Sequence, residues 1–197
     1  MEESVMQPEQ GTAECGSSLP GQIMTESGIG RSAYDTLERS TRPEDRAKDD
    51  KDRFTGSMET MFSLPSRDWK QYSALELAYI GDAAYELIIR TIYVKRADMQ
   101  VEKLHRKVTR CVSAKAQAKM AASLLPLLDE EETAIYRRGR NAKPYTKAKN
   151  ATLAEYLEAT GFEAVMGYLY LEGRFERMNE LTAKGLEALG IGETRQV

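Results

Sequence analysis

The sequence predicts an all-α protein: a compact bundle of about six helices and no strands. Three observations carry this. Apolar residues between 73 and 189 recur at three- and four-residue steps, as one face of a helix requires. No stretch alternates apolar and polar residues as a half-buried strand would. Capping residues and breakers punctuate the periodic segments at helical spacings.

The longest segment, Leu75 to Arg90, holds no proline, one glycine, and mainly Leu, Ile, Ala, Tyr and Glu. Ser73 is its expected N-cap, with Glu76 three residues on to complete a capping box. Apolar residues cover almost its whole circumference, so it belongs in an interior or a tight interface. A second helix, started by Asp98, runs from Gln100 to about Val112, with Val101, Leu104, Val108 and Cys111 as its apolar stripe. Ser113 caps a third, Ala114 to about Leu125, which stops near Pro126. Asp129 caps a fourth, Glu130 to Arg138, with three glutamates in the turn where the helix dipole favours them. Gly139 and Pro144 mark a loop. A fifth helix spans about Ala151 to Leu171, and a sixth spans Glu176 to Leu189.

Ahead of this body (residues 73–197) lie two other segments. Residues 1–57 are polar and charged with few apolar clusters, so they are expected to stay a disordered acidic tail. Residues 58–72 form a lead-in whose Phe62, Leu64 and Trp69 are expected to pack on the body. The chain has 197 residues, 41% hydrophobic and 30% charged, with formal net charge -3. The charge is uneven: residues 1–72 carry 14 acidic and 9 basic side chains, leaving 17 acidic and 19 basic for the body. The low net charge hides a mildly basic body behind an acidic tail.

Several function classes drop out on composition. Glu76, Asp82, Glu86 and Arg90 interrupt the longest apolar segment, so it does not span a bilayer, and no membrane partner is expected. Cys15 and Cys111 are too few and too distant for a disulfide framework or a zinc site. The single His105 excludes a multi-histidine metal site. No apolar signal peptide opens the chain. A cytoplasmic protein is expected.

Two constellations could carry chemistry. Asp82 and Glu163 are each a lone acid in an otherwise apolar helical stretch, flanked by Gly81 and by Gly161 and Gly167. An ionised carboxylate in such a place needs a cation, a hydrogen-bond donor or a watered cleft. If the two helices pack together the carboxylates converge, as a hard divalent cation such as Mg²⁺ requires. The alternative is a pair of buried acids bonded to Arg, Lys or Tyr. Glu86, one turn after Asp82, is either a further acid at the site or the partner of a nearby Arg.

The second constellation is basic. Lys103, Arg106, Lys107, Arg110, Lys115 and Lys119 have no acid among them. Neither do Arg137, Arg138, Arg140, Lys143, Lys147 and Lys149, which run through the loop with Asn141, Tyr145 and Thr146. Two acid-free blocks look like a phosphate-backbone surface, with His105 beside Arg106 and Lys107 facing phosphate or solvent. With a carboxylate-held metal, they suggest a metal-dependent phosphodiesterase.

At these residues the sequence resembles the ribonuclease III family, and within it the Mini-ribonuclease III branch. The resemblance runs from Leu77-Ala-Tyr-Ile-Gly-Asp-Ala-Ala-Tyr-Glu86 through Leu104-His-Arg-Lys107 and Val112-Ser-Ala-Lys-Ala-Gln-Ala118. It continues in Arg137-Arg-Gly-Arg-Asn-Ala-Lys143 and Phe162-Glu-Ala-Val-Met-Gly-Tyr-Leu-Tyr-Leu171. It implies an all-α endonuclease domain over most of residues 73–189. It also implies homodimers that hold double-stranded RNA in a valley across both subunits, and Mg²⁺-dependent hydrolysis leaving 5′-phosphate and 3′-hydroxyl ends. The branch's characteristic task is maturation of 23S ribosomal RNA. Ribosomal proteins are expected as further partners. Asp82 and Glu163 fall on two of the family's catalytic acids and metal ligands.

Two departures follow. The wider family's other two acids would fall at Ala78 and Thr160. The double-stranded-RNA-binding domain that usually follows is missing from these residues. The basic loop is therefore expected to supply more of the grip, through Arg138, Arg140, Asn141, Lys143, Lys147 and Lys149, together with His105, Arg106, Lys107 and Lys115. The competing expectation is a non-catalytic, dimeric protein that binds double-stranded RNA or ribosomal particles.

Overall fold

The computed structural model describes residues 43–96, 99–143 and 151–191. Seven α-helices and two short 3₁₀ turns make up the described residues, with no strand among them. The helices are α1 (Pro43–Met61), α2 (Ala74–Arg96), α3 (Val101–Val112), α4 (Ala114–Leu124), α5 (Glu130–Arg140), α6 (Leu153–Leu171) and α7 (Phe175–Ala188). The six expected body helices are α2 to α7; α1 is additional.

The caps form as the sequence predicts. Glu76 N–H donates to Ser73 Oγ at 3.2 Å, and Ser73 N–H donates to Glu76 Oε2 at 2.6 Å. Asp129 and Glu132 make the same reciprocal pair at the start of α5. Ser113 Oγ accepts from the Ala116 N–H at the start of α4. The start of α6 is better defined than expected: Thr152 and Glu155 form a third capping box. Asp98 lies outside the described residues, and Gln100 precedes α3 without a side-chain cap.

Helix α6 is the central rod. It packs on α2, α4, α5 and α7, and from Ala159 to Leu169 every residue except Glu163 is buried. Helix α2 gives it one face only: Leu77, Ala78, Gly81, Ala84, Tyr85 and Ile89 are buried. Each large apolar side chain on that face contributes about 1.5–3 kcal/mol. Of the interior and interface readings for α2, the interior one is corrected. Tyr79 is 84% and Leu87 63% exposed, with Val94 exposed on the same side. Its neighbours α6, α3 and α5 leave this side uncovered.

The tail boundary also moves. Residues 43–57, read from composition as part of a disordered tail, are helical in α1. Long-range contacts that composition does not register hold this helix: Lys51 pairs with Glu172 at 3.0 Å, and the Phe54 ring meets Tyr170 edge-on at 6.1 Å. Residues 1–42 lie outside the described residues. In the lead-in, Trp69 packs edge-on against Tyr168 at 4.9 Å, whereas Phe62 and Leu64 stay exposed.

Glu132 does more than favour the dipole. It is fully buried, and Arg177 Nη2 pairs with its Oε2 at 2.9 Å while Arg174 Nη2 meets its Oε1 at 3.3 Å. This cluster ties the start of α5 to the start of α7.

Candidate active site

The geometry starts at two glycines. A Cβ placed on Gly81 would lie 1.9 Å from the Glu163 carbonyl oxygen, and one on Gly167 would lie 1.9 Å from the Leu77 carbonyl oxygen. Helices α2 and α6 therefore touch backbone to backbone, a distance only glycine allows. Asp82 follows Gly81 directly, and Glu163 is the residue whose backbone Gly81 meets. The crossing brings the two acids together.

Their electrostatics agree. Burial, then the charge of Asp82, pushes the Glu163 carboxyl up to about 8. Partial burial, then the nearby Glu86, raises Asp82 above the ordinary carboxylate range, although its residue surface is largely open to solvent. Among the described residues neither acid forms an ion pair with Lys or Arg or a hydrogen bond with Tyr, as the alternative reading required. Glu86 instead forms an ion pair with Arg90, one turn away. No group of three or more His, Cys, Asp or Glu side chains among the described residues could hold a metal. Ala78 is buried against the core, and Thr160 is buried with its hydroxyl donating to the Tyr156 carbonyl at 2.9 Å. A metal between these two carboxylates would draw the rest of its shell from water, as Mg²⁺ commonly does.

One member of the site was not singled out from sequence. Gln117 of α4 acts on both carboxylates, favouring the ionised form of each. Its position in a stripe with Met120, Ala121 and Leu124, all buried, was the available signal.

The basic residues divide. His105, Arg106, Lys107 and Lys115 are exposed on α3 and α4. Lys107 sits 5.7 Å from the Tyr93 ring centre, and the charge of Lys115 reaches Glu155. Asn141 and Lys143, at the end of α5, are exposed. Arg140 pairs with Glu158 at 2.5 Å. Arg138 donates to the Tyr72 carbonyl at 2.7 Å and lies over the Trp69 ring, so it clamps the lead-in. Lys147 and Lys149 lie outside the described residues.

Comparison with known proteins decides the family. The profile of the ribonuclease III domain matches residues 75–174, about half of the chain. The chain belongs to the ribonuclease III family. Within it, the chain is 47% identical over 132 residues to a Mini-ribonuclease 3 of Enterococcus faecalis, covering 66% of this chain and 98% of that one. It is 48% identical over 116 residues to a Mini-ribonuclease 3 of Clostridium tetani, covering 58% and 77%. A crystal structure of a Fusobacterium nucleatum protein superposes with a TM-score of 0.57 at 34% identity, covering 62% of this chain and 94% of that one. These matches support the Mini-ribonuclease III branch. Ribonuclease III proteins act on double-stranded RNA and are generally dependent on a divalent metal, and this chain is an endoribonuclease of that type. The non-catalytic expectation is set aside. No helix among the described residues is long and apolar enough to cross a membrane.

Proposed function

We propose that the chain is a cytoplasmic, Mg²⁺-dependent homodimeric endoribonuclease that trims double-stranded precursor of 23S ribosomal RNA, leaving 5′-phosphate and 3′-hydroxyl ends. One observation carries the reading. Two helices cross at paired glycines and bring Asp82 and Glu163 together, and among the described residues neither forms an ion pair. Hard oxygen donors with uncompensated charge fit a hard divalent cation. When bound, Mg²⁺ would lower the pKa of a water and neutralise charge on the scissile phosphate.

Asp82 and Glu163 are the catalytic acids in this reading, held on α2 and α6 so that little reorganisation is needed on binding. In this reading His105, Arg106, Lys107, Lys115, Arg140, Asn141, Lys143, Lys147 and Lys149 grip phosphates and 2′-hydroxyls. The major groove of A-form RNA is too narrow for side chains to read, so shape would guide substrate choice more than base sequence. The homodimer is supported by the exposed apolar side of α2, where Tyr79, Leu87 and Val94 share a face and Asp82 flanks it.

The test is a Mg²⁺-dependent cleavage assay on duplex RNA taken from the 23S ends. Asp82→Asn should abolish cleavage and leave folding and RNA binding nearly intact. Cleavage at the native rate by this variant would reject the site.

A further inference from the structure

Gln117 occupies a position where an apolar residue would be expected. It is 1% exposed, on the inner stripe of α4, and its buried Nε2 has no hydrogen-bond partner. An unsatisfied amide in an interior costs about 1–3 kcal/mol, which a leucine or methionine there would avoid. The amide acts on both Asp82 and Glu163.

The donor inventory suggests why it is retained. Ionised carboxylates only accept, whereas a side-chain amide nitrogen carries two N–H bonds, one for each acid. An amide oxygen turned towards the pair would add to their repulsion. We propose that Gln117 is a positioning residue: its two amide N–H bonds, unpartnered in this structure, are available one to Asp82 and one to Glu163, and would hold the carboxylates in the orientation at which they share a divalent cation. The assignment rests on the reading of Asp82 and Glu163 as the metal-holding pair. Partners of this kind orient ligands without touching the metal, and their loss typically lowers metal affinity about 10–100-fold.

The test measures Mn²⁺ binding to the full chain without RNA, by calorimetry or by the electron paramagnetic resonance of the ion. Gln117→Leu should weaken Mn²⁺ binding by about 10-fold or more. Its thermal unfolding in EDTA should not fall below native, its affinity for duplex RNA in EDTA should stay native, and in the cleavage assay kcat should fall with KM unchanged. Gln117→Glu keeps the length and an oxygen but loses the donors, so it should bind Mn²⁺ weakly as well. Native affinity in Gln117→Leu overturns the proposal. Affinity equal to or above native in Gln117→Glu also overturns it, because the side chain would then be an oxygen ligand. If Gln117→Leu does not fold, Gln117→Met, equally long and unbranched, takes its place. Asp82→Asn is measured alongside. Loss of Mn²⁺ binding there with native binding in the Gln117 variants defeats this inference alone; native binding in Asp82→Asn defeats the metal-site reading beneath it as well.

Discussion

Gly167→Ala is the sharpest test of the helix crossing that places both acids. On an open helix surface, Gly→Ala stabilises by about 1 kcal/mol, because alanine loses less backbone freedom on folding. At residue 167 the added methyl would lie 1.9 Å from the Leu77 carbonyl oxygen and 2.8 Å from its carbonyl carbon. Both obstacles are backbone, so no rotamer change relieves them. Restoring an ordinary contact needs about 1.5 Å of separation between α2 and α6. A gap of even about 0.5–1 Å forfeits a quarter to a half of each dispersion contact along an interface. Overpacking alone typically costs about 1–3 kcal/mol, and the opened α2–α6 interface adds to it. The expected net loss is about 3 kcal/mol, a fall in Tm of about 6–12 °C for a body of this size. Gly56→Ala is the control: its added methyl meets nothing nearer than the Lys51 carbonyl oxygen at 3.6 Å, so it should gain about 0.5–1 kcal/mol. Urea unfolding of both variants measures the contrast. Cleavage by Gly167→Ala, assayed where it is still folded, should drop further than stability accounts for, because the acids move apart. A Gly167→Ala variant as stable as the native chain would refute the close crossing.

Three further outcomes are expected. In metal-free buffer, Glu163 at about 8 when folded against about 4.5 when unfolded means that the folded state holds its proton more tightly; stability is full below the lower value and falls as pH rises towards the higher one. The loss is on the order of 3–5 kcal/mol, so Glu163→Gln should flatten most of the pH dependence of the urea midpoint between pH 5 and 8, and an unchanged slope would contradict it. Arg177→Leu strips the fully buried Glu132 of its shortest ion pair and should cost about 3–5 kcal/mol by calorimetry; a loss under 1 kcal/mol would mean that Arg174 alone suffices. Arg140→Ala with Lys143→Ala should reduce the slope of log affinity for duplex RNA against log salt by about one per contact. Arg138→Ala should in addition lower stability, since its guanidinium holds the Tyr72 carbonyl and lies over the Trp69 ring.

How much of this the residues disclose depends on the size of each signal. Caps are local: Ser73 with Glu76 and Asp129 with Glu132 are three residues apart, so the rule that forms them can be applied to the string, and Thr152 with Glu155 obeys it too. Helix α1 is the opposite case. Its residues look too polar to order themselves, and what holds them is Tyr170 and Glu172, more than a hundred positions away. The outward side of α2 is illegible for a similar reason, since an apolar circumference does not say whether neighbours of the same chain or a second copy will cover it. Asp82 and Glu163 stand out because a charge in an apolar run costs several kcal/mol and so demands an explanation. Gln117 costs less, about 1–3 kcal/mol as a neutral amide, and one polar residue in a helix stripe passes as ordinary variation. It acquires meaning only when the crossing of α2 and α6 places two carboxylates opposite it. A catalytic site in a helical bundle is therefore read from sequence in order of desolvation cost, with its charged ligands first and the neutral groups that aim them last.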